Sequence, residues 1–265
     1  MTDEQPPVLL ERQEGIARLA LNRPSASNGM NVPLLRALHE AILAVHADPT
    51  IRAVLLTGAG KNFCAGGDIK TFASKGAGLP DYLREATAWL QLSISALNQL
   101  EVPVVAAVQG YAAGGGGLGL VCASDFVFAE EGAQFMSGAV RVGMAPDAGV
   151  SVTLTQLVGF RLAAEMLITG RALDAAEAAN SGLINRVVPA AELTSVALEY
   201  AQQFTRAAPR AVGATKRLLW TGIGSSVADR LPEEARIVTE LSGTADSLEG
   251  LGAVIEKRAP HFGAS

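Results

Sequence analysis

The stretch from Val102 to Ala123 carries no charged side chain and is long enough to cross a lipid bilayer. Its interior argues against such a role. Pro103, Gln109 and the block Gly114-Gly115-Gly116-Gly117 interrupt it, and each glycine inside a helix costs about 1 kcal/mol relative to alanine. A buried strand, a glycine turn and a buried helix suit the same residues better: Pro103–Val108 as strand, Gly110–Gly117 as turn, Leu118–Ala123 as the start of the helix. Strands buried on both faces belong to parallel sheets covered by helices. This one stretch therefore points to an α/β architecture.

The rest of the chain reads the same way. Val8–Leu10 and Ile16–Leu21 read as strands joined at Gly15. Pro33 suits the first turn of a helix carrying Leu34, Leu38, Ile42 and Val45 at helical spacing. Arg52–Thr57 reads as a buried strand, residues 82–100 as a helix and Asp125–Ala129 as another strand. Helices are expected over 148–158, 160–168, 174–181, 190–206, 209–220 and 232–258, interrupted by a strand at Ile184–Val188. The expected organisation is an α/β core over residues 1–200 that holds the functional site, followed by a helical region over 201–265. Leu218, Leu219 and Trp220, expected to be exposed, would suit a subunit interface.

Composition excludes several classes. The net charge is −5, so the chain lacks the basic footprint of a nucleic-acid or anionic-lipid binder. An apolar fraction of 49% excludes disorder, and 28 glycines exclude a coiled coil. Cys64 and Cys122 are too few and too far apart for a disulfide framework or a zinc site, and are expected to be small buried hydrophobes. No metal is expected. The opening Met1-Thr-Asp-Glu-Gln-Pro-Pro has neither the cationic start nor the apolar core of a signal peptide. A soluble, cytoplasmic protein is expected, with no membrane or nucleic-acid partner.

Two glycine bends carry the chemistry. Cys64–Asp68 and Gly110–Gly117 each follow a buried strand and lead towards a helix. Such junctions point unpaired N–H groups outward at the positive end of a helix dipole. Two of them could place two donors on one oxygen, an oxyanion hole; alternatively the glycines only permit tight packing. Gly114–Gly119 also fits the G-x-G-x-x-G dinucleotide pattern, but Glu130 and Glu131 come too early to serve its ribose. There is no G-x-S-x-G. His39, His46 and His261 show no catalytic spacing, so acid–base work falls to carboxylates. Asp3, Glu4, Glu11, Asp48, Glu192, Glu233 and Glu234 sit in polar contexts and are expected to be solvated. Asp147 lies in the apolar stretch Val142–Gly149 before a helix. It reads either as an N-cap or as a catalytic acid/base.

In order and spacing, several motifs resemble the crotonase superfamily, the enoyl-CoA hydratase/isomerase family. They are Leu21-Asn22-Arg23-Pro24 with Asn28, Phe63–Ile69, Ala107–Gly116, Gly143–Gly149, Thr169-Gly170-Arg171, Gly182-Leu183-Ile184 and Glu256-Lys257-Arg258. The resemblance implies a spiral of ββα units with a helical C-terminal trimerisation region, forming trimers or dimers of trimers. It implies an acyl-CoA thioester substrate, with coenzyme A entering as part of that substrate and no tightly bound cofactor. It assigns the oxyanion donors to the amides of Gly67 and of Gly115 or Gly116. It assigns coenzyme A binding to the backbone of Ser25, Ala26 and Ser27 with Ala65, Asp68 and Ile69, and to Lys257 reaching a neighbouring subunit.

The departures from the family pattern bear on the reaction. Where typical hydratases carry two glutamates, this chain has Leu118 or Gly119, and Ala139. Asp147 stands where some isomerases and dehalogenases of the family hold their working carboxylate. The resemblance therefore favours an enoyl-CoA isomerase, with Asp147 as proton shuttle. Another crotonase-type reaction (hydrolysis, dehalogenation, weak hydration) and a non-catalytic acyl-CoA-binding protein are the alternatives.

Overall fold

The computed structural model describes residues 5–263, so Asp3 and Glu4 lie outside the described residues. Nine strands alternate with helices: β1 Val8–Gln13, β2 Ile16–Leu21, β3 Ala53–Gly58, β4 Val104–Val108, β5 Tyr111–Ala113, β6 Phe126–Glu130, β7 Gln134–Met136, β8 Leu173–Asp174 and β9 Arg186–Val188 among the described residues. One sheet runs β1-β2-β3-β4-β6-β9 and a smaller one β5-β7-β8. Only the β1–β2 hairpin is antiparallel in the larger sheet. The chain thus repeats a unit. A long strand (β4, then β6) enters the large sheet, a short one (β5, then β7) enters the small sheet, and helical turns close the unit. This is the expected ββα spiral.

The apolar runs read as strands are two-faced. Val54, Leu56, Val104, Ala106 and Val108 face the main core with the Val32–His46 and Leu79–Gln99 helices. Their alternates Leu55, Val105 and Ala107 join Ile16, Phe128, Leu193, Ala197 and Ala201 on the opposite face. Period-two side chains in a sheet covered on both sides must all be apolar. That is why β4 reads Val-Val-Ala-Ala-Val and is buried throughout. Cys64 and Cys122 are buried, as expected, and burial pushes both thiols up to about 12.

Three expectations need correction. The helix expected from Leu118 starts at Gly114 and runs to Cys122, after the short strand β5 inside the supposed turn. Packing overrides helix propensity here: Cβ atoms on Gly115, Gly116 and Gly117 would collide with Asp147, Met30 and the Cys64 carbonyl. The single helix expected over 232–258 is two, Val227–Leu241 and Ala245–Glu256. A capping box of Ser226 and Asp229 starts the first of these upstream of Pro232, and Gly243 at φ +88° separates them. Finally, Trp220 is not a free surface residue, because its indole N–H donates to Asp125 at 2.7 Å.

That bond belongs to a buried network that ties the Pro209–Gly222 helix to the sheet. Lys216 is 5% exposed. Its Nζ lies 2.7 Å from Asp125 Oδ2 and donates to the Leu97 and Val102 carbonyls. Asp125 also accepts from the Val104 amide at the start of β4. Removing one partner of such a pair strands the other charge. Lys216→Met should therefore lower unfolding free energy by about 3–5 kcal/mol, read as a shifted denaturant midpoint.

Candidate active site

The two glycine bends are laced together. The amides of Phe63 and Cys64 donate to Gln109 and Tyr111, and the Ala113 amide donates to Cys64 at 2.8 Å, forming a parallel bridge between Cys64 and Ala112. This register seats Gly66 against Gly114. A Cβ on Gly114 would lie 3.1 Å from the Gly66 Cα and 3.7 Å from the Gly67 nitrogen. Both glycines are left-handed, at φ +92° and +61°, so a side chain there would meet both strain and collision. Gly114 is the hinge by which the chain enters its helix.

Both bends present free amides. Among the described residues the Gly67 N–H has no acceptor. The Gly114–Cys122 helix has no side-chain cap, so its first-turn amides, Gly115 and Gly116 included, lack intrahelical partners. Gly67, Gly115, Gly116 and Asp147 all line one cavity of about 520 Å³.

The structure removes the capping alternative for Asp147. The helix after it starts at Val150 with Gly149 as N-cap and no side-chain cap bond. Ala148 (φ +56°) and Gly149 (φ +76°) turn the chain sharply between Asp147 and that helix. The left-handed backbone at an alanine costs about 1–2 kcal/mol. It is held by packing: the Ala148 methyl lies 2.5 Å from where a Cβ on Gly119 would be. Asp147 is left pointing at Gly115, with Oδ1 only 1.4 Å from the position of a Cβ there. The carboxylate occupies the space that the missing side chain leaves. Burial pushes Asp147 above the usual carboxylate range, and a hydrogen bond from its own amide offsets part of that.

The rest of the wall is mainly apolar. Met30, Leu35, Leu83, Ala86, Leu90 and Val142 contribute to it. Sequence reading missed these, along with Phe72 and Ser137, because their common feature is convergence in space rather than spacing in the chain.

The residues expected to hold coenzyme A are placed differently from one another. Ala65 and Ile69 are in the cavity wall. Ser25, Ala26 and Ser27 form a turn beside it, joined to the first bend by the Ala65 amide donating to Ser27 at 3.0 Å. Asn28, fully buried, locks that turn: its side chain accepts from Arg23 and donates to the carbonyls of Ala59, Asn62 and Phe63. Asp68 has structural contacts, capping the Ile69–Ser74 helix through Thr71 and pairing with Arg23 at 3.0 Å. Burial raises its pKa, but these partners outweigh it and hold the carboxyl below the usual range. Lys257 is exposed at the end of the Ala245–Glu256 helix, outside the cavity wall of its own chain.

Among the described residues there is no cluster of three or more His, Cys, Asp or Glu suited to a metal, and no helix long and apolar enough to cross a membrane.

Residues 11–265 match the model of the family described as enoyl-CoA hydratase/isomerase. A Mycobacterium bovis protein named "Probable enoyl-CoA hydratase" is 35% identical over 256 residues, 96% of this chain and 97% of that one. The Escherichia coli 2,3-dehydroadipyl-CoA hydratase is 34% identical over 256 residues, covering 96% and 98%. The crystal structure of an enoyl-CoA hydratase from Polaromonas superposes with a TM-score of 0.92 at 30% identity, covering 97% of this chain and 99% of that one. The chain belongs to the enoyl-CoA hydratase/isomerase family, with the crotonase fold, and is an acyl-CoA enzyme of that family.

The contact between Gly115 and Asp147 has a direct test. Gly115→Ala must displace the carboxylate, while a buried neighbouring helix turn remains intact. Turnover of an enoyl-CoA substrate should fall about 100-fold or more, the scale of an ångström-level misplacement. The far-UV circular dichroism spectrum should be unchanged.

Proposed function

We propose that the protein shifts a carbon–carbon double bond along the acyl chain of an enoyl-CoA thioester. The thioester oxygen sits between the amides of Gly67 and of Gly115 or Gly116. Asp147, as carboxylate, takes a proton from the α-carbon of a 3-enoyl thioester. The charge spreads into a dienolate whose oxygen the two amides stabilise, each such donor contributing about 3–4 kcal/mol to lowering the barrier. Protonated Asp147 then returns the proton to the γ-carbon, leaving the conjugated 2-enoyl product.

One observation supports this over hydration. Among the described residues, Asp147 is the one carboxylate in the cavity wall. Hydration needs one group to deprotonate water and another to protonate the α-carbon. The two positions where the family resemblance expects glutamates hold Ala139, in the wall, and either Leu118 or Gly119, both buried. A proton shuttle needs a single base whose pKa is raised towards neutrality, and burial moves Asp147 in that direction. The names of the relatives favour a second reading, slow enoyl-CoA hydration with Asp147 in both roles.

Asp147→Asn separates chemistry from binding. Deuterium exchange at the α- and γ-carbons of a 3-enoyl-CoA should drop about 10³-fold, while coenzyme A ester affinity stays within a few-fold; exchange at the parent rate would defeat the assignment. In the parent, kcat/KM should fall as pH drops through the raised pKa, at higher pH than the ordinary aspartate value of about 3.9. The same shift predicts a stability effect. With its folded pKa raised, Asp147 favours the fold while protonated, and that contribution is lost as pH rises through the raised value. At neutral pH the ionised, partly desolvated group opposes folding. Asp147→Asn should therefore melt at higher temperature than the parent at pH 7, with the difference vanishing towards about pH 4.

The same reading includes a trimer, alone or paired. Leu231, Val238, Leu248, Leu251, Val254 and Ile255 on the last two helices are all more than half exposed, Ile255 at 81%. Apolar surface on this scale is what subunit contacts cover. Lys257 follows these residues and would reach the coenzyme A of a neighbour. Val254→Glu with Ile255→Glu should shift the light-scattering mass from trimer to monomer.

A further inference from the structure

Ser137 is 3% exposed, among the few buried polar residues of the chain. It follows β7 and forms part of the cavity wall. Its hydroxyl makes no hydrogen bond among the described residues, and it is not one of the sealed unpartnered atoms, which are Arg18 Nε, His39 Nδ1 and Asn98 Oδ1. An unbonded hydroxyl that is not sealed must touch open space, and the open space at Ser137 is the cavity. Thr87, the other hydroxyl-bearing residue of the wall, is by contrast satisfied by the Leu83 carbonyl at 2.7 Å.

The position of Ser137 is also informative. Its carbonyl oxygen lies 3.7 Å from the point where a Cβ on Gly114 would stand, and the Gly67 nitrogen lies 3.7 Å from that same point. Ser137 is therefore at the thioester end of the cavity, beside the two bends, rather than at the far end of the acyl chain.

We infer that Ser137 is a specificity-determining residue, and that the acyl group carries an oxygen function, a hydroxyl or ketone on its first carbons, which is retained through the reaction and hydrogen-bonds to the Ser137 hydroxyl. A hydrocarbon chain filling the cavity would strip water from that hydroxyl and give nothing back, at the cost of an unsatisfied buried polar group. An oxygen-bearing chain would restore the bond. Sites built this way reject the analogue lacking the polar group far more strongly than apolar pockets reject an extra methylene. This inference rests on the cavity being the acyl site of the proposed function, but not on which reaction occurs there.

The test is therefore made by binding, in Asp147→Asn protein, which should not turn over its ligand. Calorimetric affinities are compared for butyryl-CoA, 3-hydroxybutyryl-CoA and 4-hydroxybutyryl-CoA, with and without Ser137→Ala. At least one hydroxylated ester should bind about ten-fold or more tighter than butyryl-CoA, and Ser137→Ala should bring the two within about two-fold by weakening the hydroxylated ester alone. No preference in the parent background, or a preference that survives Ser137→Ala, would overturn the inference. Failure of the proton-shuttle reading would show separately, as exchange activity on a 3-enoyl-CoA persisting in Asp147→Asn; the three esters compared here carry no double bond to shift, and their recovery unchanged after calorimetry keeps the comparison one of binding. Ser137→Thr, which keeps the hydroxyl, should retain the preference and guards against misreading a packing defect.

Discussion

The close approach of two glycine bends is the constraint on which the rest of the site depends. Gly66 and Gly114 touch backbone to backbone, in left-handed conformations that bring the Gly67 amide alongside the first turn of the Gly114–Cys122 helix. The bridge from Cys64 to Ala112 fixes the register of that contact. Slipping it by one residue would place Cβ-bearing residues where there is room for none. The missing side chain at Gly115 then makes the space that the Asp147 carboxylate fills. The free amides and the Asp147 carboxylate are thus positioned by the same absence of side-chain atoms.

Much of this was legible in the chain itself. Charge-free runs such as Val104–Val108 mark a sheet covered on both faces, and Asp147 stands out as a carboxylate in an apolar stretch. Two things were hidden. The helix through Gly114–Gly117 defies propensity, because its glycines are chosen by what lies across from them: Asp147, Met30 and the Cys64 carbonyl. Ser137 and Phe72 carry no local signal either; they matter because separate units of the spiral bring them to one cavity. The capping role for Asp147 was equally consistent with the sequence and fell only when the left-handed turn at Ala148 and Gly149 placed the helix start beyond it.

Two partly or fully buried charges show opposite strategies. Lys216 is surrounded by acceptors, with Asp125, Leu97 and Val102 on its ammonium group. Its burial serves the fold by docking a helix. Asp147 sits in a mainly apolar wall; the one cation of that wall among the described residues, Arg141, donates to the Gly170 carbonyl, and burial raises the Asp147 pKa. A carboxylate with a raised pKa in a cleft is a candidate for proton transfer, the role proposed for Asp147. The fold surrounds one charge with partners and leaves the other to the cavity.

The central claim is that amides from both bends polarise a single thioester carbonyl. Isotope-edited infrared difference spectroscopy of a bound enoyl-CoA carrying ¹³C at the thioester carbon reads this directly. The account predicts a bound carbonyl stretch at clearly lower frequency than in free solution, with the shift persisting in Asp147→Asn, since the donors belong to the main chain. A bound carbonyl at its solution frequency would contradict it.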